Sequence, residues 1–531
     1  MAIADLLARD FGTNAELIRA HARERPAHAA LWLDGRSLDY AALDALMDRV
    51  AASLQRDGLK PGDVIAICAA TSFEYAVTFL GSVRAGVTVA PLAPDTAAAG
   101  LAAMVADAGA RRLFVSAAVA AALQPVRERI AVPLIALDDS AEGLAFTQWL
   151  APVGAAPQAI AIEPQWPFNI IYSSGTTGTP KGIVMPYAFR WAQVQLFTSL
   201  GYGPDTVTMV SIPLYSNMTL SSFLPALSLG STVVLMAKFD AGRYLELAQE
   251  HRVTHAMMVP VQFQRIMARP DFERYDLGAF RVKSCGSAPF PAALKADVVA
   301  RWPGALVEYY GMTEGGGVCV LPADQRPDKL HTVGHPAPGH DMRVIDEDGR
   351  ELPRGEIGEI VGRSGTMMVG YHNLPAKTAE AEWFDTQGRR FIRSGDTGRF
   401  DEDGFLILLD RKKDMVISGG FNVYPIDLEN VMRTHPDIAE VAVFGVPSER
   451  WGETPVACVV LRDGAQADAD ALLQWTNAQL GKAQRLSAIQ PVASLPRSDI
   501  GKVLKRQLRD LYSGAGQAVD LTRNGDGSRR P

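Results

Sequence analysis

The stretch YSSGTTGTPKG at residues 172–182 gathers three glycines, two serines, three threonines and one lysine into eleven positions. It follows the apolar pair Ile170 and Ile171, as the end of a strand would. Backbone N–H groups, hydroxyls and one ammonium brought to a single point are what a polyphosphate requires. A solvated Gly/Ser/Thr turn would use the same residue types, so the loop alone leaves both readings open. The phosphate loop of the common NTPases does not fit. Counted from Gly175, the sixth position is Pro180, and Lys181 is followed by Gly182 rather than Ser or Thr.

Three further stretches carry groups suited to a nucleotide. EYYGMTE (308–314) offers an aromatic plane at Tyr310, then Gly311, Met312, the hydroxyl of Thr313 and the carboxylate of Glu314. SGDTGRFDEDGFLILLDRKKD (394–414) holds Asp396, an acceptor for ribose hydroxyls, and Arg411, a rigid fork of donors. PRSDIGKVLK (496–505) sets Lys502 behind a glycine in a short loop. Taken singly, Tyr310 could be a core aromatic, Asp396 a turn residue and Lys502 a solvated charge.

The elements that must position these groups read as layered α/β. Tyr40, Leu43, Met47, Val50 and Leu54 recur at helical spacing. The run DVIAICAA after them suits a buried parallel strand, residues 73–83 a helix, and GVTVAPLAP another strand. STVVLMAKF and VTHAMMVPV continue the pattern, and short strands near 355–361 suggest a smaller β-rich unit. From about residue 414 the chain reads as a compact α+β unit, with a helix ending near His435 and Pro436. These readings give a domain at 1–409, a compact domain at 414–512 with residues 410–413 between the two, and a disordered polar tail at 513–531.

In residue type and order, the four stretches resemble the adenylate-forming superfamily of acyl-CoA synthetases, peptide-synthetase adenylation domains and luciferases. The resemblance runs from about residue 10 to about residue 512. It implies a large α/β domain with a β-rich unit and a small mobile α+β domain. It also implies that Ser173, Ser174, Gly175, Thr176, Thr177, Gly178 and Lys181 hold the ATP phosphates. Tyr310 would stack on adenine opposite Gly286, Ser287 and Ala288. Thr313 would meet the α-phosphate, Glu314 would ligate Mg²⁺, and Asp396 with Arg411 would hold the ribose. Lys502 matches the mobile catalytic lysine and Lys413 the hinge. Ser418, Gly419, Gly420 and Phe421 would shape the tunnel for coenzyme A.

The implied reaction joins a carboxylic acid to ATP, releases pyrophosphate, and passes the acyl group to CoA with loss of AMP. Tyr215, Ser216, Met218, Met258, Gly286, Gly315 and Gly316 are the expected acyl-pocket residues, the glycines being read as leaving room for a long or ring-bearing acid. The segment PLYSNMTLSSF (213–223) lacks the Asp that holds an amino group, so an amino acid is disfavoured, and it lacks Arg or Lys, which disfavours a dicarboxylate. Ser216 stands where many relatives carry His, and Asp499 and Ile500 depart from the small or Pro residues common before the mobile lysine. Two other readings stay open: an acyl-AMP ligase that loads a carrier protein, and a catalytically silent nucleotide-binding module.

Composition sets outer bounds. The chain has 531 residues, 48% hydrophobic and 21% charged, enough for several structural units. A net charge of −7 gives no reason to expect nucleic acid as partner. Cys68, Cys285, Cys319 and Cys458 lack metal-ligand spacing and read as apolar fillers in a reduced cytoplasm. No signal peptide or integral membrane segment is expected, and a monomer or homodimer is.

Overall fold

The run Val64–Cys68 is buried at all five positions, and Thr88–Pro91 at all four. Strands without an exposed face belong inside a sheet covered by helices on both sides. They pair in parallel, with Val64 opposite Thr88 and Ile67 opposite Pro91, and helix Phe73–Arg84 crosses between them. Helix Tyr40–Arg56 starts where the Asp39 carboxylate accepts the Ala42 N–H at 2.7 Å, and it buries Tyr40, Leu43, Met47, Val50 and Leu54. Its apolar face lies against Phe73–Arg84. A Cβ at Gly81 would fall 2.5 Å from Val50 Cβ, so only glycine permits this approach.

The computed structural model describes residues 2–140, 142–173, 181–411, 414–418, 421–448, 451–465, 467–480, 484–498 and 501–514. The chain divides into two compact units, Met1–Met342 with Val361–Arg393, and Arg343–Ile360 with Ser394–Pro531.

The first unit contains two large sheets. In one, the strands run in the order Gly370–Tyr371, Lys181–Pro186, Pro167–Ser173, Thr88–Pro91, Val64–Cys68, Ala110–Val115, Leu134–Ala136, Leu144–Ala145. In the other the order is His335–Pro336, Val318–Pro322, Ala305–Gly311, Val282–Cys285, His255–Met258, Val207–Val210, Thr232–Leu235, Ala29–Leu33, Arg36–Asp39. The middles of both sheets are parallel, as alternating strands and helices require.

The second unit is built on the long antiparallel pair Ile438–Ser448 and Gly452–Leu461, with Ala488–Pro491 added in parallel. Alternation along the first strand sends Val441 and Val443 to one core, with Val416, Leu428 and Val459. Ala442 and Phe444 go to another, with Cys458, Leu495 and Leu508. The helix expected to reach His435 stops at Met432. Pro436 disfavours helical geometry in the residue before it, and the Thr434 and His435 N–H groups close tight turns onto Val431 and Met432 instead. Helix Lys505–Gly514 continues two residues into the expected tail. Residues 515–531 lie outside the described residues.

All four cysteines are buried free thiols. Burial pushes Cys68 up to about 12 and Cys458 up to about 11, which removes them from thiolate chemistry near neutrality. Among the described residues, no helix is long and apolar enough to cross a membrane.

Candidate active site

Lys181 opens strand Lys181–Pro186, which returns antiparallel to Pro167–Ser173 with Ser173 opposite Lys181 and Tyr172 opposite Gly182. The Gly/Ser/Thr loop therefore joins two strands, whereas the common NTPase loop leads into a helix. Ser174, Gly175, Thr176, Thr177 and Gly178 lie outside the described residues. On the other edge of the same strand, Gly370 and Tyr371 pair with Val184 and Ile183, and the His372 N–H donates to the Gly182 carbonyl at 2.7 Å.

This pairing puts the Tyr371 ring under Lys181, with Nζ 5.0 Å from the ring centre. The Tyr371 hydroxyl donates to Glu314 Oε1 at 2.8 Å. Burial and the neighbouring carboxylate push the phenol above its ordinary range, so it stays protonated and donates. Lys181 and Glu314, 133 positions apart by their numbers, thus meet through one side chain.

Glu314 is also fixed through its backbone. The Met368 N–H donates to the Glu314 carbonyl at 2.8 Å, and the Gly316 N–H to Thr366 at 3.1 Å. The glycines after it have a different reason from the one expected. A Cβ at Gly315 would lie 2.0 Å from the Thr366 carbonyl oxygen, one at Gly316 2.8 Å from the Gly362 oxygen, and one at Gly317 1.7 Å from Met342 Sδ. Protein atoms, not room for an acyl chain, occupy the space a side chain would take.

Gly286 and Ser287 follow strand Val282–Cys285, which lies in parallel beside Ala305–Gly311, so both strands deliver their residues at carboxyl ends. Open α/β sheets bind ligands there. A Cβ at Gly286 would sit 2.9 Å from the Tyr309 carbonyl oxygen, and Ser287, at φ +71°, donates its hydroxyl to Met218 Sδ at 3.0 Å. Gly286, Ser287 and Met218 are therefore neighbours, beside the strand that carries Tyr310 and leads to Thr313. Tyr215, Ser216 and Ala288 are half-buried. Met257 belongs to the core against which Met218, Tyr309 and Met312 pack. Met258, one residue on, is fully buried and faces the other side of the strand.

Two residues here escaped sequence reading. Tyr371 is one; its only local signal is an aromatic after Gly370. Arg190 is the other, buried within helix Tyr187–Thr198. Its guanidinium donates to Asn217 Oδ1 at 2.8 Å, Asn169 Oδ1 at 2.9 Å and Gln193 Oε1 at 2.9 Å. It thereby ties down the first turn of helix Asn217–Ser228, next to Ser216 and Met218. Burial pulls this guanidinium down to about 9.

In the second unit, Asp396 and Arg411 stand opposite each other on strands Arg390–Phe400 and Leu406–Arg411. Ser418 and Phe421 face each other across a hairpin, whereas Lys413, Gly419 and Gly420 lie outside the described residues. Lys502 sits on a turn closed by Ser498 N–H to the Lys502 carbonyl (2.8 Å) and Leu504 N–H to Pro496 (2.8 Å). Gly501 takes φ +76°, and Arg497 bonds its carbonyl at 2.7 Å while pairing with Glu440 at 2.7 Å. The turn is thus anchored to strand Ile438–Ser448.

Among the described residues no three His, Cys, Asp or Glu side chains form a metal-binding group. Glu314 belongs to no such group. A carboxylate outside a cluster suits Mg²⁺, which takes most of its ligands from phosphate oxygens and water.

Comparison with known proteins gives these groups a common context. A family profile described as AMP-binding enzyme matches residues 18–372, and one described as AMP-binding enzyme C-terminal domain matches 427–502. The chain belongs to the AMP-binding enzymes of the adenylate-forming superfamily. It is 34% identical to an indoleacetate–CoA ligase of Aromatoleum aromaticum, over 94% of this chain and 98% of that one. It is 32% identical to a fatty acid–[acyl-carrier-protein] ligase of Streptomyces coeruleorubidus, over 93% and 95%. The structure of ATP-bound MatB from Rhodopseudomonas palustris shares 31% identity at a TM-score of 0.82, covering 94% of this chain and 99% of that one. The expected fold, α/β sheets with a small separate C-terminal unit, is the fold of these enzymes.

Proposed function

We propose that the protein is an AMP-forming acyl-CoA synthetase for a fatty or aryl carboxylic acid. The acid's oxygen attacks the α-phosphorus of ATP, and the bond to the leaving pyrophosphate breaks. The CoA thiol then attacks the acyl carbon of the acyl-AMP and expels AMP. The observation that carries this reading is the meeting of Lys181 and Glu314 on Tyr371, a cation and a carboxylate set together, with Lys181 at the end of the Gly/Ser/Thr stretch in the sequence.

In this reading Lys181, Ser173, Ser174, Gly175, Thr176, Thr177 and Gly178 cradle the β- and γ-phosphates. Tyr310, with Gly286, Ser287 and Ala288, encloses the adenine, Thr313 donates to the α-phosphate, and Asp396 with Arg411 grips the ribose. Glu314 would hold Mg²⁺, which neutralises phosphate charge when bound. Lys502 neutralises two approaching anions, which otherwise repel each other. Rotation about Lys413 then exchanges Lys502 for the segment 418–421, which lines the path of the CoA thiol. Tyr215, Ser216 and Met218 border the acyl group, and the half-buried Met218 gives that border an adaptable apolar surface. The buried, unpaired thiols suit a cytoplasmic enzyme, acting as monomer or homodimer.

A second reading, an acyl-AMP ligase that loads a carrier protein, is favoured by the relative from Streptomyces coeruleorubidus. One panel separates the two. Fatty, arylacetic and arylpropenoic acids are incubated with ATP and Mg²⁺, with and without CoA, while pyrophosphate, AMP and thioester are followed. Thioester and AMP formed only with CoA support the synthetase. Pyrophosphate release with no CoA-dependent thioester supports the carrier-protein ligase, and no pyrophosphate with any acid contradicts both.

A further inference from the structure

We propose that Tyr371 is a positioning residue that orients the Glu314 carboxylate toward the metal-bound triphosphate and at the same time carries Lys181. This rests on the ATP-dependent reading above and adds a residue to it. Three observations support it. The Tyr371 hydroxyl donates to Glu314 Oε1 at 2.8 Å, so it fixes one carboxylate oxygen and with it the orientation of the carboxylate. Its ring face lies 5.0 Å from Lys181 Nζ, within the range where a π system attracts an ammonium. Its own placement is determined on both sides. Its strand pairs with Lys181–Pro186, and its N–H donates to Thr378 Oγ1 at 2.9 Å.

The two contacts have separable consequences. A hydrogen bond to a metal-binding carboxylate holds it in the orientation the metal requires, and losing such a partner typically weakens metal affinity about 10–100-fold. The ring contact restricts a lysine that otherwise has several rotamers, so its loss falls on ATP binding rather than on the metal. A side chain that served packing alone would change neither selectively.

The test uses Tyr371→Phe and Tyr371→Leu in the full chain. The first removes only the hydroxyl; the second also removes the ring. Two readouts are taken: the Mg²⁺ dependence of the rise in Tm that ATP produces, which needs no acid, and the Mg²⁺ midpoint of acid-dependent ATP–pyrophosphate exchange. For Tyr371→Phe, the Mg²⁺ midpoint should rise about tenfold in both, with ATP affinity at saturating Mg²⁺ nearly unchanged. Tyr371→Leu should add a severalfold loss of ATP affinity that excess Mg²⁺ does not restore. Unchanged Mg²⁺ midpoints in a folded Tyr371→Phe protein would overturn the proposal. So would a loss of Tm without ligand accompanied by a native Mg²⁺ curve, the mark of a packing role. If Tyr371→Leu fails to fold, the phenylalanine variant decides alone. Because the Tm readout involves no acid, it separates failure here from failure of the acyl-CoA reading.

Discussion

Glu314 and Lys502, the two charges to which the proposed reaction gives central roles, are held in different ways. Glu314 is clamped through its backbone by Met368 and Thr366, through its side chain by Tyr371, and from behind by three glycines with no space for a Cβ. Lys502 rides a short turn closed by the Ser498 N–H to its own carbonyl and by Leu504 to Pro496, and tied to strand Ile438–Ser448 by the pair of Arg497 with Glu440, whose side chains are 25% and 29% exposed. The first unit also buries several charges deeply. Lys283 donates to the carbonyls of Trp302, Pro303 and Gly304, Lys295 pairs with Glu308 in the interior, and Arg190 is sealed among amides. A group that must present one geometry to a metal gains from such fixation. A group that must arrive for one step and leave for the next gains from a shallow anchor.

The largest expected effect breaks the rigid side. Gly315→Ala places a methyl carbon 2.0 Å from a backbone carbonyl in a residue at φ +77°, where alanine is strained in any case. It should cost more than about 3 kcal/mol of stability or move Glu314, and adenylation should fall at least about 100-fold. Gly365→Ala, with nothing within 4 Å of its Cβ, should behave like the native protein in urea melts and pyrophosphate exchange.

On the shallow side, Arg497→Ala should lower the rate of acyl-AMP formation about tenfold by loosening the turn, with the ATP KM unchanged, because no ATP contact is removed. A loss in KM instead would mean that the turn binds nucleotide directly.

The effect with no expected consequence at neutral pH concerns stability against acid. Burial, with Arg25 beside it, pulls His21 down from 6.5 to about 4. The unfolded chain therefore binds a proton that the folded chain refuses between these values. The stability this contributes is complete above pH 6.5 and is lost as pH falls toward 4, at most about 3 kcal/mol. His21→Asn should flatten the acid limb of a Tm–pH curve over that window and leave it unchanged above pH 7.

What the sequence reveals follows the same division. Helix Tyr40–Arg56 and strand Val64–Cys68 are legible because periodicity and apolar runs are local. Asp396 and Arg411 are legible as a pair only through the family resemblance, whereas their direct opposition on paired strands follows from the register. Tyr371 was not legible, since its meaning depends on Glu314, 57 residues earlier, and on a strand pairing that no local pattern encodes. The glycines 315–317 could be seen but not interpreted: glycine permits either an open space or a close approach, and only the neighbouring backbone decides which.

The central claim is that the fixed groups bind ATP while Lys502 serves only the attack of the carboxylate. It is tested most directly by measuring both half-reactions of Lys502→Ala separately. Acyl-AMP formation from acid and ATP should fall by about 10²–10³ or more, while a synthetic acyl-AMP is converted to acyl-CoA at nearly the native rate. Equal loss of both half-reactions in a folded variant would contradict the account, and so would native rates in both.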